Sequence, residues 1–198
     1  ASDVYKRQGI VPQHLNLVIL GHFTDLSTVG IYRIAKRLVE PITYIISVLT
    51  PLVQNQLSKE SLRVNFSELV KNFLLPLSAI IIIPYVYFGE NLISLISGSS
   101  FLDAYEPMLV LVIGYIIYLN TFWIRQLLLF SNLIQYHAVS RLISLVVFVL
   151  ASLFFVDQFA AVGIAIALSL SMILQKFYEF YSFNKYFCLL YTSPSPRD

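Results

Sequence analysis

The sequence predicts an all-α fold: a polytopic membrane helix bundle of about five full transmembrane helices plus one truncated one. Three observations lead there. Hydrophobic residues make up 58% of the 198-residue chain and mean hydropathy is +0.76, against an apolar share of ~45–50% in soluble domains. Apolar runs close to the ~20 residues needed to cross a bilayer recur along the chain. The connections between them are alternately basic and non-basic, as the positive-inside rule requires of a multi-span protein.

The ends are set aside first. Ala1–Gln8 back-translates to the end of a transposase-based sequencing adapter, and Cys188–Asp198 to the reverse complement of its partner. Both are expected to be adapter-derived, which leaves 9–187 as the natural segment, a fragment of a longer gene cut on both sides. The only cysteine, Cys188, goes with them, so cysteine usage says nothing about redox compartment. Removing Lys6, Arg7 and Arg197 from the 13 basic residues, and Asp3 and Asp198 from the 11 acidic ones, leaves ten and nine. The basic pI therefore gives no reason to expect a nucleic-acid partner, and charge has to be read by position.

The first expected span, about Ile10–His22, is truncated. Full spans follow near Val29–Val53, Val70–Phe88, Pro107–Phe130, Leu142–Val156 and Ala160–Phe177. The fifth is short before its flanks are added. Lys59, Arg63 and Lys71 mark the 54–69 connection as basic, whereas 89–106 carries only Glu90, Asp103 and Glu106. Arg125, His137 and Arg141 surround 131–140, the turn at Asp157 has no basic residue, and Lys176 and Lys185 follow the last span. The 54–69 and 131–140 connections are thus expected in the cytoplasm, and 89–106 and 157–159 outside. No linker, low-complexity stretch or internal repeat divides the segment.

One stretch stands out chemically. Tyr32–Glu40 puts Arg33, Lys36, Arg37 and Glu40 into an expected membrane helix, and at ~100° per residue all four fall on one side of it. Charge in lipid is costly, so such groups face a bundle interior or a wet cavity. One reading is snorkelling to the headgroups with an ion pair to Glu40. The other is a cavity wall that attracts a phosphate, with arginine supplying bidentate contacts and Glu40 orienting its neighbours. Arg125, beside Gln126, is either a second inward-facing cation or a cytoplasmic anchor, depending on where its helix ends. Pro41 and Pro51 kink the charged span. Ala161, Gly163, Ala165 and Ala167 form a small-residue patch suited to close helix contact. Tyr85, Tyr87, Phe88, Tyr178 and Tyr181 read as interfacial aromatics.

No enzymatic pattern emerges. His14, His22 and His137 are scattered, without carboxylates at metal-ligand spacing. No Walker or dinucleotide glycine pattern occurs, and no motif arranges a serine with a base. The expectation is a non-enzyme with no cofactor and no metal.

The segment Asp25–Leu38, DLSTVGIYRIAKRL, resembles the "D…vGiY.iA.rl" signature of the polysaccharide-flippase (Wzx-type) family, a branch of the multidrug/oligosaccharidyl-lipid/polysaccharide exporters. Pro51–Ser58 is similar to its "P..s" ending, Phe88–Gly98 to "fg..ii.li.G" and Phe101–Leu111 to "y..A...l.iL". Ala161–Ala167 is similar to "G..Gaaia", with only its second glycine present. The order and spacing cover almost all of 9–187. The resemblance implies the C-terminal half of a flippase of twelve to fourteen helices, with an N-terminal-half assignment also open because the halves are alike. It implies transport of undecaprenyl-pyrophosphate-linked oligosaccharide across a bacterial cytoplasmic membrane by alternating access. Arg33, Lys36, Arg37, Glu40 and Arg125, charges placed in expected membrane helices, are the substrate-binding candidates. The expected partners are the lipid-linked oligosaccharide, the bilayer, the missing half of the chain and polysaccharide-assembly proteins. Branches of the family differ in their lumen charges, so individual sites do not transfer directly. A drug/cation antiporter of the same superfamily is the nearest alternative; it should place acids deep in the membrane, and Glu40 is the candidate. A membrane-embedded polysaccharide polymerase or ligase should carry a large outer loop with catalytic residues, and the two outer connections are short.

Overall fold

Apolar side chains at helical spacing dictate helices that must bury one face, and the computed structural model shows which face each helix buries. It describes the backbone of residues 10–60, 66–131 and 133–192, and the side chains of 15–58, 68–131 and 133–185. The expected adapter stretch 1–8 lies outside the described residues, as do 193–198 of the second stretch and Arg63. The side chains of His14 and Lys59 lie outside them too.

Helix α1 is Ile10–Phe23 and α2 is Leu26–Glu60. Asp25 begins α2: its carboxylate accepts from the Thr28 hydroxyl at 2.5 Å and the Thr28 amide at 3.4 Å. This is a side-chain N-cap, and the Thr28 hydroxyl holds the Asp25 carboxyl below its usual range. Helix α3, Phe66–Leu69, runs through a π-turn at Val70–Leu74 into α4, Leu75–Ser97. Gly98, at φ 94°, reverses the chain into a 3-10 turn, Ser99–Ala104. Helix α5 is Tyr105–Phe130 and α6 is Ile134–Thr192.

The last element is one helix only in name. At Ala160 the backbone takes φ 46° and ψ −117°, a left-handed region that costs a residue with a Cβ of order 1–3 kcal/mol. There α6 folds back on itself as two antiparallel arms, 134–159 and 161–192. Gly163 is the reason they can close so near the turn, because a Cβ there would lie 2.2 Å from the Phe155 carbonyl oxygen. The small-residue patch thus works as expected, as a site of close approach.

Helix α5 is the axis of the bundle. It packs most extensively on α6 and then on α2, and α4 lies along it as well. Half of its apolar stretch is buried, against 11% for that of α4. Gly114 lets α5 approach Ser169 of the second arm, whose hydroxyl donates to the Val110 carbonyl at 2.9 Å. Helix α2 sets a stripe of Tyr32, Ala35, Val39, Ile42 and Ile46 into the core, the spacing of one helical face. Asn16 on α1 donates to the Tyr32 hydroxyl at 2.9 Å, with both residues buried. A donor buried in apolar surroundings needs such a partner.

The chain is an all-α membrane protein, but the count of spans differs from the expected five plus one. Among the described residues, three stretches are long and apolar enough to cross a bilayer: Val70–Ser97, Ser99–Phe130 and Ile134–Lys185. Helix α1 has 14 residues and is too short. Helix α2 is long, yet Arg33, Lys36, Arg37 and Glu40 at one end and Gln54-Asn55-Gln56 at the other dilute its hydropathy. The last two expected spans form one continuous stretch folded at Ala160. Helices also run past the expected limits, because backbone hydrogen bonding continues after the apolar run stops: α2 ends at Glu60 instead of Val53, and α4 at Ser97 instead of Phe88.

Candidate functional site

The charged face of α2 follows from the buried one. With Tyr32, Ala35 and Val39 turned inward, helical periodicity turns Arg33 and Arg37 outward, and both are exposed. Lys36 and Glu40 lie at the flanks of that face and are partly buried. Glu40, one turn after Lys36, acts electrostatically on Lys36 and on Tyr115 of α5. Of the five candidate residues, four therefore share one helix, and Arg125 stands apart on α5. Arg125 is partly buried, and its Nε lacks a hydrogen-bond partner among the described residues.

Of the five, Arg37 lines a groove between two helices. A groove of about 410 Å³ separates α2 from α4, walled by Ile34, Arg37, Leu38, Pro41, Tyr85, Leu92, Ile96 and Ser97. Its geometry depends on a proline. Pro41 has no N–H to offer the Arg37 carbonyl four residues back, and the next carbonyl, that of Leu38, accepts the Tyr85 hydroxyl at 2.7 Å. The aromatic expected at the interface thus braces α4 against α2 beside Pro41. The groove combines one exposed guanidinium, which can take a phosphate in a bidentate fork, with apolar walls for a hydrocarbon chain. A second cleft of about 210 Å³, beside the π-turn, is almost wholly apolar and includes Leu49, Val53, Phe73 and Phe122.

Polar rungs tie the helices inside the apolar body. Gln54 on α2 donates to Gln126 on α5 at 2.9 Å, and Asn120 on α5 donates to Ser78 on α4 at 2.7 Å. The Asn120 Oδ1 remains without a partner.

A second ionic group, which the sequence reading missed, sits where the arms of α6 end, opposite the Ala160 turn. The carboxylate of Glu179 is fully buried, and Lys176, on the same arm, is 3% exposed with its Nζ 2.7 Å from Glu179 Oε2. His137 Nδ1 lies 2.8 Å from Oε1 across the two arms. Ser140 and Gln175 also donate to Oε1, at 2.8 Å and 3.0 Å. The ammonium of Lys176 stands 4.6 Å from the centre of the Tyr118 ring on α5, within cation–π range. The serine bonds to the carboxylate and not to the imidazole, which is not the arrangement of a nucleophile with its base. The sequence marks Lys176 and His137 as charges beside the expected connections. The available signal was weak: Lys176 and Glu179 sit at i, i+3, while His137 is 42 residues away in sequence.

Compared with known proteins, the chain finds no counterpart: no family model, no curated protein and no solved structure matches it.

Proposed function

We propose that this chain is part of a membrane transporter of the polysaccharide-flippase type, carrying a polyprenyl-pyrophosphate-linked oligosaccharide across a bacterial cytoplasmic membrane. The observation that carries the reading is the α2–α4 groove, where Arg37 meets Tyr85 and apolar walls in about 410 Å³. Such a site offers an anionic head group a guanidinium and its lipid chain a dry surface. Arg33 and Lys36, neighbours of Arg37 on α2, raise the local positive potential and draw the pyrophosphate toward it. Arg125 acts as a further cation on α5. The mechanism is rocking of helix groups about the site with no covalent chemistry, and the Pro41 kink supplies the bend.

The test is charge-neutral substitution of Arg33, Lys36 and Arg37 together in the full-length protein. Surface polysaccharide should be lost while the protein stays inserted at normal abundance. Unchanged export by the inserted triple variant would sink the reading.

A second reading has its own observation. An antiporter for organic cations needs acids within the bundle; Glu179 is buried and Glu40 partly buried. Efflux of a cationic dye that disappears in Glu40→Gln, with polysaccharide unchanged, would favour it.

A further inference from the structure

The cluster at the feet of the α6 hairpin has no part in the proposed transport site, yet its chemistry is specific. Glu179 accepts four donors, two from each arm: His137 and Ser140 from the first, Gln175 and Lys176 from the second. The ionisable groups that act on it are His137 and Lys176. From α5 the group set against the cluster is Tyr118, and Arg141, close by in sequence, is exposed.

With Lys176 and Glu179 both charged, a neutral His137 leaves the buried group without net charge, the least costly state in an apolar setting. In that state a bond from Nδ1 to a carboxylate requires the ring proton on Nδ1. Nε2 is then the open nitrogen, on a side chain that is 12% exposed, whereas Glu179 has no exposure.

We propose that this cluster is a proton-binding site, with His137 Nε2 as the atom that takes the proton and Glu179 as the counter-ion that holds the imidazolium. One N–H bond forms at Nε2, the donating hydronium becomes water, and no covalent bond of the protein breaks. The single buried carboxylate then faces two cations. The bond from His137, which joins the arms, becomes charge-assisted and stronger. The bond from Lys176, within one arm, is shared, and the ammonium keeps the Tyr118 face as its second partner. Ser140 takes up the adjustment: its hydroxyl lies 2.8 Å from Glu179 Oε1 and 2.8 Å from the His137 carbonyl, and its one hydrogen serves either. Proton binding therefore fastens the feet of the hairpin to each other. The inference stands whether or not the groove binds a lipid-linked sugar.

The experiment uses the full chain in lipid nanodiscs with 15N-labelled histidine. At about pH 8, above the range where imidazoles ordinarily titrate, His137 should show the Nδ1–H tautomer. On acidification it should become imidazolium, and the amides of 134–141 should gain protection from hydrogen exchange, roughly five-fold from the stronger inter-arm bond. His137→Gln, whose amide can still donate to the carboxylate, should keep its fold and lose the gain. In Lys176→Met the buried carboxylate has only His137 as its cation, so the imidazolium and the protection should already be present at about pH 8. An Nε2–H tautomer at about pH 8, or an equal gain in His137→Gln, would overturn the proposal. If His137→Gln does not fold, the tautomer of the unmodified protein decides by itself.

Discussion

The molecule carries two ionic groups that differ in almost every respect. The α2 group is compact in sequence, four charges in eight residues, and spread out in space: Arg33 and Arg37 are exposed. The hairpin group is scattered in sequence and compact in space, with Lys176 and Glu179 at 3% and 0% exposure. Exposed charges cost the fold little and remain available to a ligand. Buried ones are bound to each other and belong to the architecture. The teaching is that charge density along a helix points to where a substrate can be met, and long-range pairing points to what holds the helices together.

Five substitutions break or sharpen this contrast. The largest effect is expected for Glu179→Ala, which removes the acceptor shared by the buried Lys176 ammonium, His137, Ser140 and Gln175. Removing one partner of a buried ion pair costs about 3–5 kcal/mol, measurable as a lowered midpoint in reversible denaturant unfolding in detergent micelles. Gly163→Ala comes next. Its Cβ would meet a backbone carbonyl at 2.2 Å, and backbone does not yield as a flexible side chain does. We expect a loss of about 1–3 kcal/mol and faster hydrogen exchange at the hairpin turn. Ala160→Gly should act in the opposite sense, stabilising by about 1 kcal/mol because φ 46° suits a residue without a Cβ. The smallest effect is expected for Arg33→Gln and Arg37→Gln, each within about 0.5 kcal/mol of the parent. If Arg37→Gln destabilised the fold as much as Glu179→Ala, the contrast would be wrong.

Much of the scaffold was legible in the sequence because membrane helices announce themselves by unbroken apolar length. The runs beginning at Val70, Pro107 and Leu142 each fall within helices of the structure. The small-residue patch around Gly163 also found its role. What escaped has physical reasons. Hydropathy marks where lipid can surround a helix and not where hydrogen bonding stops, so α2 and α4 outlast their apolar runs. The hairpin cluster escaped because its members are polar residues at the margins of apolar runs, where basic side chains are ordinarily anchors. Nothing local ties His137 to Glu179; the reversal at Ala160, beside the turn expected at 157–159, brings them together. The charged face of α2 is a unit in the sequence, whereas in the structure Arg37 borders the α2–α4 groove and Lys36 and Glu40 are partly buried.

The reversal at Ala160 has a consequence for how the chain enters a membrane at all. Two apolar arms joined by a single non-helical residue leave no linker for one arm to cross while the other waits. Arms so joined are expected to enter a bilayer as a pair, with Asp157 and Gln158 at their tip. One carboxylate at the centre of a span costs about 3 kcal/mol, a toll that two apolar arms entering together readily offset. The turn is thus as much a device for biogenesis as for shape: it makes the last third of the chain a single unit of insertion.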